Sequence, residues 1–440
     1  MRALFRLSLA ALLVCACSRE EPPAPESPST PALGLWVLAE GSERVLESPE
    51  KIALLVERAV ELRASHLFVQ VHRGGRAWFP STHADDTPFR EIRAARPDAP
   101  EPLTDLIERA QALGASDLFV QVHRGGRSWF SSTHADDSPW RALRARDPDA
   151  PDPLNDLIAR AHARGLRVHA WFNCLSLASN RDPLILKTVG RGAILVDSEG
   201  RSLLDYPDGN VPRPERSYFE LETPGLWLDP AVPGVVETLA GSVADLARAA
   251  PELDGLHLDY IRYPYALPMT PGSRFPLGLD YGYGEIARAR FAHENGGFSR
   301  GDAWDGFRRE RVRELVAALR APIPKSWRMS AAVMAYADRG YLTSFQDWRR
   351  WLDEGLLDFA VAMAYTKDDR LLRYQAHALH GGVGGERVWL GLGSWLFASE
   401  PARMLEQIAL AREVTPPGIA LFSYDALAAN PAALDALVKR

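Results

Sequence analysis

Residues 254–264 read Asp-Gly-Leu-His-Leu-Asp-Tyr-Ile-Arg-Tyr-Pro, a short apolar strand that breaks into a run of polar and aromatic side chains. Side chains alternate along a strand, so His257 and Asp259 share one face of the pleat. A carboxylate at the C-terminal end of a buried strand is where parallel-barrel enzymes keep reactive groups. There it can act as nucleophile or as general acid/base in glycoside hydrolysis. The bland alternative is a loop cap in which Asp259 salt-bridges Arg262.

Similar apolar runs flank this segment at 33–39, 67–71, 118–122, 167–172, 329–334, 359–364, 388–392 and 419–423. With 255–259 they make nine strand candidates. Amphipathic stretches fall between them, for example at 49–62, 233–249, 303–320 and 401–413, as expected of a parallel sheet with crossover helices. The expected fold class is α/β, a (β/α)8 barrel of the TIM type, which has eight strands.

A tandem repeat accounts for the ninth strand. Gln70 returns as Gln121, His72 as His123, Leu103 as Leu154 and Gly114 as Gly165, and segments 66–114 and 117–165 are identical at 35 of 49 aligned positions. One βα unit has been copied. Closing nine strands changes barrel tilt and shear, so the expectation is that eight strands close and one copy is displaced. The second copy is favoured for the wall, because it runs through a short turn at Arg164-Gly165 directly into the next strand. Two units are too few for a solenoid.

The N-terminus carries its own signals. Arg2 and Arg6 precede an apolar run at 7–14, too short to span a bilayer but suited to a secretory leader. The run ends Val14-Cys15-Ala16-Cys17, where a small residue precedes a cysteine as in a lipobox. The domain plan is thus a lipoprotein signal peptide at 1–16, a lipidated Cys17, a Pro- and Ser-rich tether at 17–31 with no large apolar residue, and a folded domain at 32–440. Ordinary secretion with cleavage nearby is the alternative. Ser18 suits sorting to the outer membrane, so the expected location is the cell envelope, on a periplasmic or surface face. If Cys17 carries lipid, Cys174 has no disulfide partner.

A formal net charge of −6 and a pI near 6.0 give no basic footprint for nucleic acid. Twelve Trp and twelve Tyr supply flat faces on which sugar rings stack, although most such rings pack in cores. No metal or cofactor is implied: the eleven His lack metal spacing, the Gly-rich 381–385 follows a helical stretch and not a strand, and no nucleophile elbow occurs.

Gly-Leu-His-Leu-Asp-Tyr-Ile-Arg-Tyr-Pro at 255–264, Trp-Leu-Asp-Pro-Ala-Val-Pro-Gly-Val-Val-Glu-Thr-Leu at 227–239 and Val-His-Ala-Trp-Phe-Asn at 168–173 together resemble the glycosyl hydrolase-like family 10 pattern, from about Ala32 to the C-terminus. The resemblance implies a TIM barrel whose lipoprotein members include an enzyme cleaving peptidoglycan glycan strands stripped of peptides. There are departures. The family pattern Gln-Val-Arg-x-x-Gly-Asp-Ala-x-Tyr reads QVHRGGRAWF at 70–79 and QVHRGGRSWF at 121–130, so Arg76 and Arg127 replace an acid. Met363 stands where a polar residue is common.

The expected function is a lipid-anchored glycoside hydrolase acting on envelope or extracellular glycan, with a non-catalytic carbohydrate-binding lipoprotein as the alternative. The catalytic candidates are Asp259 with a second carboxyl from Asp338 or Glu40; Asp368, Asp369 and Asp425 rank lower. The substrate-contact candidates are His123, Arg124, His169, Trp171, Asn173, His257, Arg262, Tyr263, Tyr365 and Trp395, with Tyr424 a further possible cleft wall. Trp171 reads equally as core. Asp229, just before Pro230 and a helical run, is expected to act as an N-cap.

Overall fold

The computed structural model describes residues 32–38, 45, 49–62, 64–69, 72–73, 76–77, 116–146, 151–205, 225–264, 280–382, 384–397 and 400–422. The leader, Cys17, the tether, Glu40, Tyr424 and Asp425 lie outside the described residues.

The strands are β1 (Ala32–Val37), β2 (Ala64–Val69), β3 (His72–Arg73), β4 (Arg76–Ala77), β5 (Asp117–Arg124), β6 (Arg127–Ser128), β7 (Arg167–Asn173), β8 (Gly255–Asp259), β9 (Arg328–Met334), β10 (Phe359–Met363), β11 (Val388–Gly393) and β12 (Gly418–Phe422). The helices are α1 (Pro49–Glu61), α2 (Ser138–Arg146), α3 (Pro153–His162), α4 (Leu184–Thr188), α5 (Pro233–Ala249), α6 (Glu285–Asn295), α7 (Asp302–Arg320), α8 (Ala337–Thr343), α9 (Trp348–Asp353), α10 (Asp369–His380) and α11 (Pro401–Arg412). Helix α3 illustrates the local logic. Pro153 opens its first turn, the Asp152 carboxylate accepts the Leu154 and Asn155 N–H groups, and Leu154, Leu157, Ile158 and Ala161 form the buried stripe.

Nine parallel strands close in the order β1-β2-β5-β7-β8-β9-β10-β11-β12 and back to β1. The α/β barrel class expected from the sequence is what forms, but its strand count is not. Neither copy of the repeat is displaced, because β2 and β5 pair directly, His66 with Asp117, Leu67 with Leu118, Phe68 with Phe119 and Val69 with Val120. Each residue therefore lies beside its own duplicate.

The interior explains how the ring closes. Barrel diameter grows with strand number, so a nine-stranded wall needs larger side chains to fill it. Here Trp36, Phe68, Phe119, Trp171, Phe359 and Trp389 form one inner cluster. Small residues make room for them: a Cβ added at Gly418 would lie 2.2 Å from the Trp389 ring, and one at Gly34 would lie 2.8 Å from Phe68. The outward faces of the strands join the helices in a second, larger apolar layer.

At the N-terminal end of the barrel, the duplicated positions have diverged into complements. Asp117 is buried and faces His66 Nε2 at 3.1 Å, His169 Nε2 at 2.8 Å and Arg167. Burial pushes the Asp117 carboxyl up, but these hydrogen bonds outweigh it and hold the group well below the usual carboxylate range. Two aspartates in register here would repel; His66 and Asp117 attract.

Candidate functional site

The C-terminal ends of β5, β7 and β8 bring a polar group together. Asn173 and Asp259 are register partners at the tips of β7 and β8. Gln121, buried on β5, donates from Nε2 to Asn173 Oδ1 at 3.1 Å. The Asp259 carboxylate is only partly exposed. Its Oδ1 accepts the Tyr260 backbone N–H at 2.8 Å and its Oδ2 accepts the Trp171 indole N–H at 3.3 Å. Burial raises the Asp259 pKa above the ordinary carboxylate value; the two N–H donors and the charges of Arg262 and Arg124 oppose that rise without cancelling it.

Asp259 makes no salt bridge within 4 Å among the described residues, so the loop-cap reading with Arg262 does not hold. Arg262 instead lies with its guanidinium 5.2 Å from the Trp227 ring and 5.6 Å from the Tyr260 ring. Tyr260 itself has φ of +52°. A left-handed backbone at a bulky residue costs roughly 1–3 kcal/mol and clusters at functional sites. The strain falls on the residue whose N–H grips the carboxylate.

The expected site residues divide by depth. Arg124 is half-buried at the end of β5, and its charge bears on Asp259. His123 does not face the mouth. The β5–β7 pairing shifts register between Gln121 and His123, so His123 pairs with the outward Phe172 and stacks on that ring at 3.9 Å. Its Nδ1 contacts the Asn173 carbonyl at 2.8 Å, and burial pushes its pKa down to about 4. That bulge moves the inward role to Gln121, which the alternation from Phe119 already marked.

His169 and His257 sit too deep for a sugar contact. Both are fully buried: His169 is held by Asp117, and His257 Nδ1 lies 2.8 Å from Ser330 Oγ with its ring edge toward Trp36, Phe68 and Phe119. Burial, helped by His169, pushes the His257 pKa down to about 3, so it is neutral. Trp171 is likewise enclosed and is no stacking platform. Tyr263 is buried against Phe345 and reaches Asp229.

Tyr365 and Trp395 do gather at the mouth. Trp395 is 39% exposed, its ring 4.7 Å from Tyr365 and 5.6 Å from Phe422. Phe422, absent from the sequence candidates, links this pair to Trp36 at 5.6 Å.

Among the alternative carboxyls, Asp338 is exposed on the first turn of α8, just after β9. Asp368 caps α10 by accepting the Arg370 and Leu371 N–H groups, and Asp369 is tied to Arg403 and Gln407, so both have structural work. Asp229 is not the helix cap: Val232 occupies that position for α5. Asp229 Oδ1 accepts the Ala231 N–H at 2.9 Å, while Oδ2 is buried with no partner among the described residues. Burial pushes its pKa up to about 7. Arg127, where the family pattern has an acid, lies 3.5 Å from Asp136. Among the described residues no His, Cys, Asp and Glu groups gather as a metal site requires.

Comparison with known proteins places this geometry in context. The family described as Glycosyl hydrolase-like 10 matches residues 100–378, a shorter stretch than the sequence resemblance implied. Glycosyl hydrolase DigH of Escherichia coli K12 is 26% identical over 284 residues, covering 60% of this chain and 57% of DigH. Glycosyl hydrolase YngK of Bacillus subtilis is 23% identical over 311 residues, covering 66% of this chain and 53% of YngK. The chain thus spans little more than half the length of these relatives. Among solved structures, the glycoside hydrolase domain of PgaB (BpsB) from Bordetella bronchiseptica aligns with a TM-score of 0.57 at 14% identity, over 93% of this chain and 98% of that one. That likeness is one of fold.

Proposed function

The chain belongs to the glycosyl hydrolase-like 10 family, and on that footing we propose that it hydrolyses glycosidic bonds with Asp259 as the principal carboxylate. The observation that carries the reading is the setting of that group at the mouth of the barrel: partly exposed, outside any ion pair among the described residues, with one N–H donor on each oxygen. Protonating either oxygen weakens one of those bonds, so the two donors support the ionised form against the burial that raises the pKa. Ionised, Asp259 serves as nucleophile or as stabiliser of the positive charge that develops on the sugar ring. Its proton-donating counterpart is then Asp338, on the turn after the neighbouring strand β9. Tyr365 and Trp395 supply the apolar wall on which a pyranose ring stacks.

The substrate class is a polysaccharide of the cell envelope, and peptidoglycan glycan is the first to try. The lipobox at Cys17 supports an anchored protein of the envelope, in the outer membrane by the Ser18 signal. Arg127 in place of an acid gives the carbohydrate-binding alternative its one specific support. The purified chain, with its leader removed, is incubated with peptide-stripped glycan strands, intact sacculi and chitin, and new reducing ends are measured. Hydrolysis releases reducing ends from at least one glycan. Retention of the polymer on the protein without release overturns the hydrolase reading in favour of binding alone.

A further inference from the structure

Enclosed tryptophans differ in what their indole N–H meets: Trp327 and Trp348 donate to the Pro251 and Met334 carbonyls. Trp304 and Trp351 bury indole N–H groups with no partner among the described residues, so the fold tolerates unbonded indoles. Trp171, by contrast, aims its N–H at Asp259 Oδ2, 3.3 Å away on the adjacent strand. Its ring is also fixed. Trp171 meets the Trp36 ring edge-on at 4.4 Å and 89°, and Trp36 is itself stacked on Phe68 at 4.5 Å and held by Phe422. An indole clamped in this way does not swing aside when the carboxylate moves. We infer that Trp171 is a positioning residue for catalysis, whose indole N–H fixes the Oδ2 atom of Asp259 and selects its ionised form.

The inference rests on the reading of Asp259 given above. Other groups facing that carboxylate are the Arg262 and Arg124 guanidiniums, the Tyr260 N–H and the Cys174 thiol just after β7. The first three favour the anion, and the thiol is held neutral by burial. Among the described residues, Trp171 alone couples the carboxylate to the aromatic interior that runs from Trp36 to the wall at Phe422 and Trp395.

The test is Trp171→Phe, which keeps a ring in the interior and removes the donor. A hydrogen bond to a charged group corresponds to about a tenfold effect, so kcat near neutral pH should fall about tenfold with KM little changed. The acid limb of kcat/KM should move about 0.5–1 pH unit upward. Trp351→Phe, which removes a buried indole N–H that has no partner among the described residues, should leave that limb in place. An unmoved limb in Trp171→Phe, or an equal movement in Trp351→Phe, overturns the inference.

Wild-type protein supplies a second readout that needs neither folding of a variant nor activity. With ¹⁵N-labelled tryptophan, the Trp171 indole resonance should titrate together with the ¹³C-labelled Asp259 carboxyl. An indole signal that ignores that titration also overturns the inference. Failure of the reading of Asp259 looks different: Asp259→Asn would remain active, or wild-type protein would bind glycan without releasing reducing ends, while the indole of wild-type protein still followed the carboxyl.

Discussion

Replacing Asp229 by Asn should stabilise the protein, and increasingly so as pH rises. In the fold this carboxyl titrates at about 7, against 3.8 when unperturbed. Between those values the unfolded chain has released the proton and the folded chain still holds it. The unfolded state therefore binds fewer protons, and stability falls with rising pH across that window. At about 1.4 kcal/mol for each pH unit, the ceiling is about 4 kcal/mol above pH 7, and relaxation around the buried oxygen reduces this to roughly 2–4 kcal/mol. Asparagine keeps an acceptor for the Ala231 N–H and has no proton to lose. Urea unfolding of both proteins at pH 5 and pH 8 reads the difference directly. Wild type should lose stability between the two pH values and Asp229→Asn should not, so that the variant is the more stable by about 2–4 kcal/mol at pH 8. Parallel stability at both values would refute the assignment of a buried, proton-bearing carboxyl.

Three further outcomes follow from other parts of the molecule. Trp395→Ala should raise KM about 3- to 10-fold with little change in kcat, since it removes a stacking face at the mouth; steady-state kinetics on the cleaved glycan checks this. Asp117→Asn should lower stability by about 2–3 kcal/mol in urea, and His66→Asp, which makes the two copies alike and sets carboxylates in register, should cost more. Cys17→Ala should abolish incorporation of labelled fatty acid and move the protein from the membrane fraction to the soluble one.

Much of the fold was legible in the sequence because strand and helix signals are local. All nine apolar runs became barrel strands, and the stretch at 233–249 formed α5 with those bounds. The closure was not legible. Whether a ninth strand fits depends on the volume inside the ring, and that is set jointly by Trp36, Phe68, Phe119 and Trp171 from four strands and by glycines as distant as Gly34 and Gly418. The site was half legible for a related reason. Alternation put Asp259, Asn173 and Trp171 on one face, as found, but a single bulge after Gln121 turned His123 outward. Alternation also says nothing about depth, so His169 and His257 shared the correct face while lying too far down the barrel to meet a substrate. The Asp229 oxygen that lacks a partner among the described residues is buried by loops far apart in sequence, near Tyr263 and Gly284, where no local pattern marks it.

The most direct measurement is the rate of reducing-end release by Asp259→Asn on a glycan that wild-type protein cleaves, at matched concentration and with folding checked by circular dichroism. The substitution keeps the shape of the side chain and removes its charge. The rate should fall by about a thousandfold or more, as loss of a principal catalytic group does, with the urea midpoint unchanged or raised. Release at the wild-type rate would contradict the assignment of Asp259 as the catalytic carboxylate.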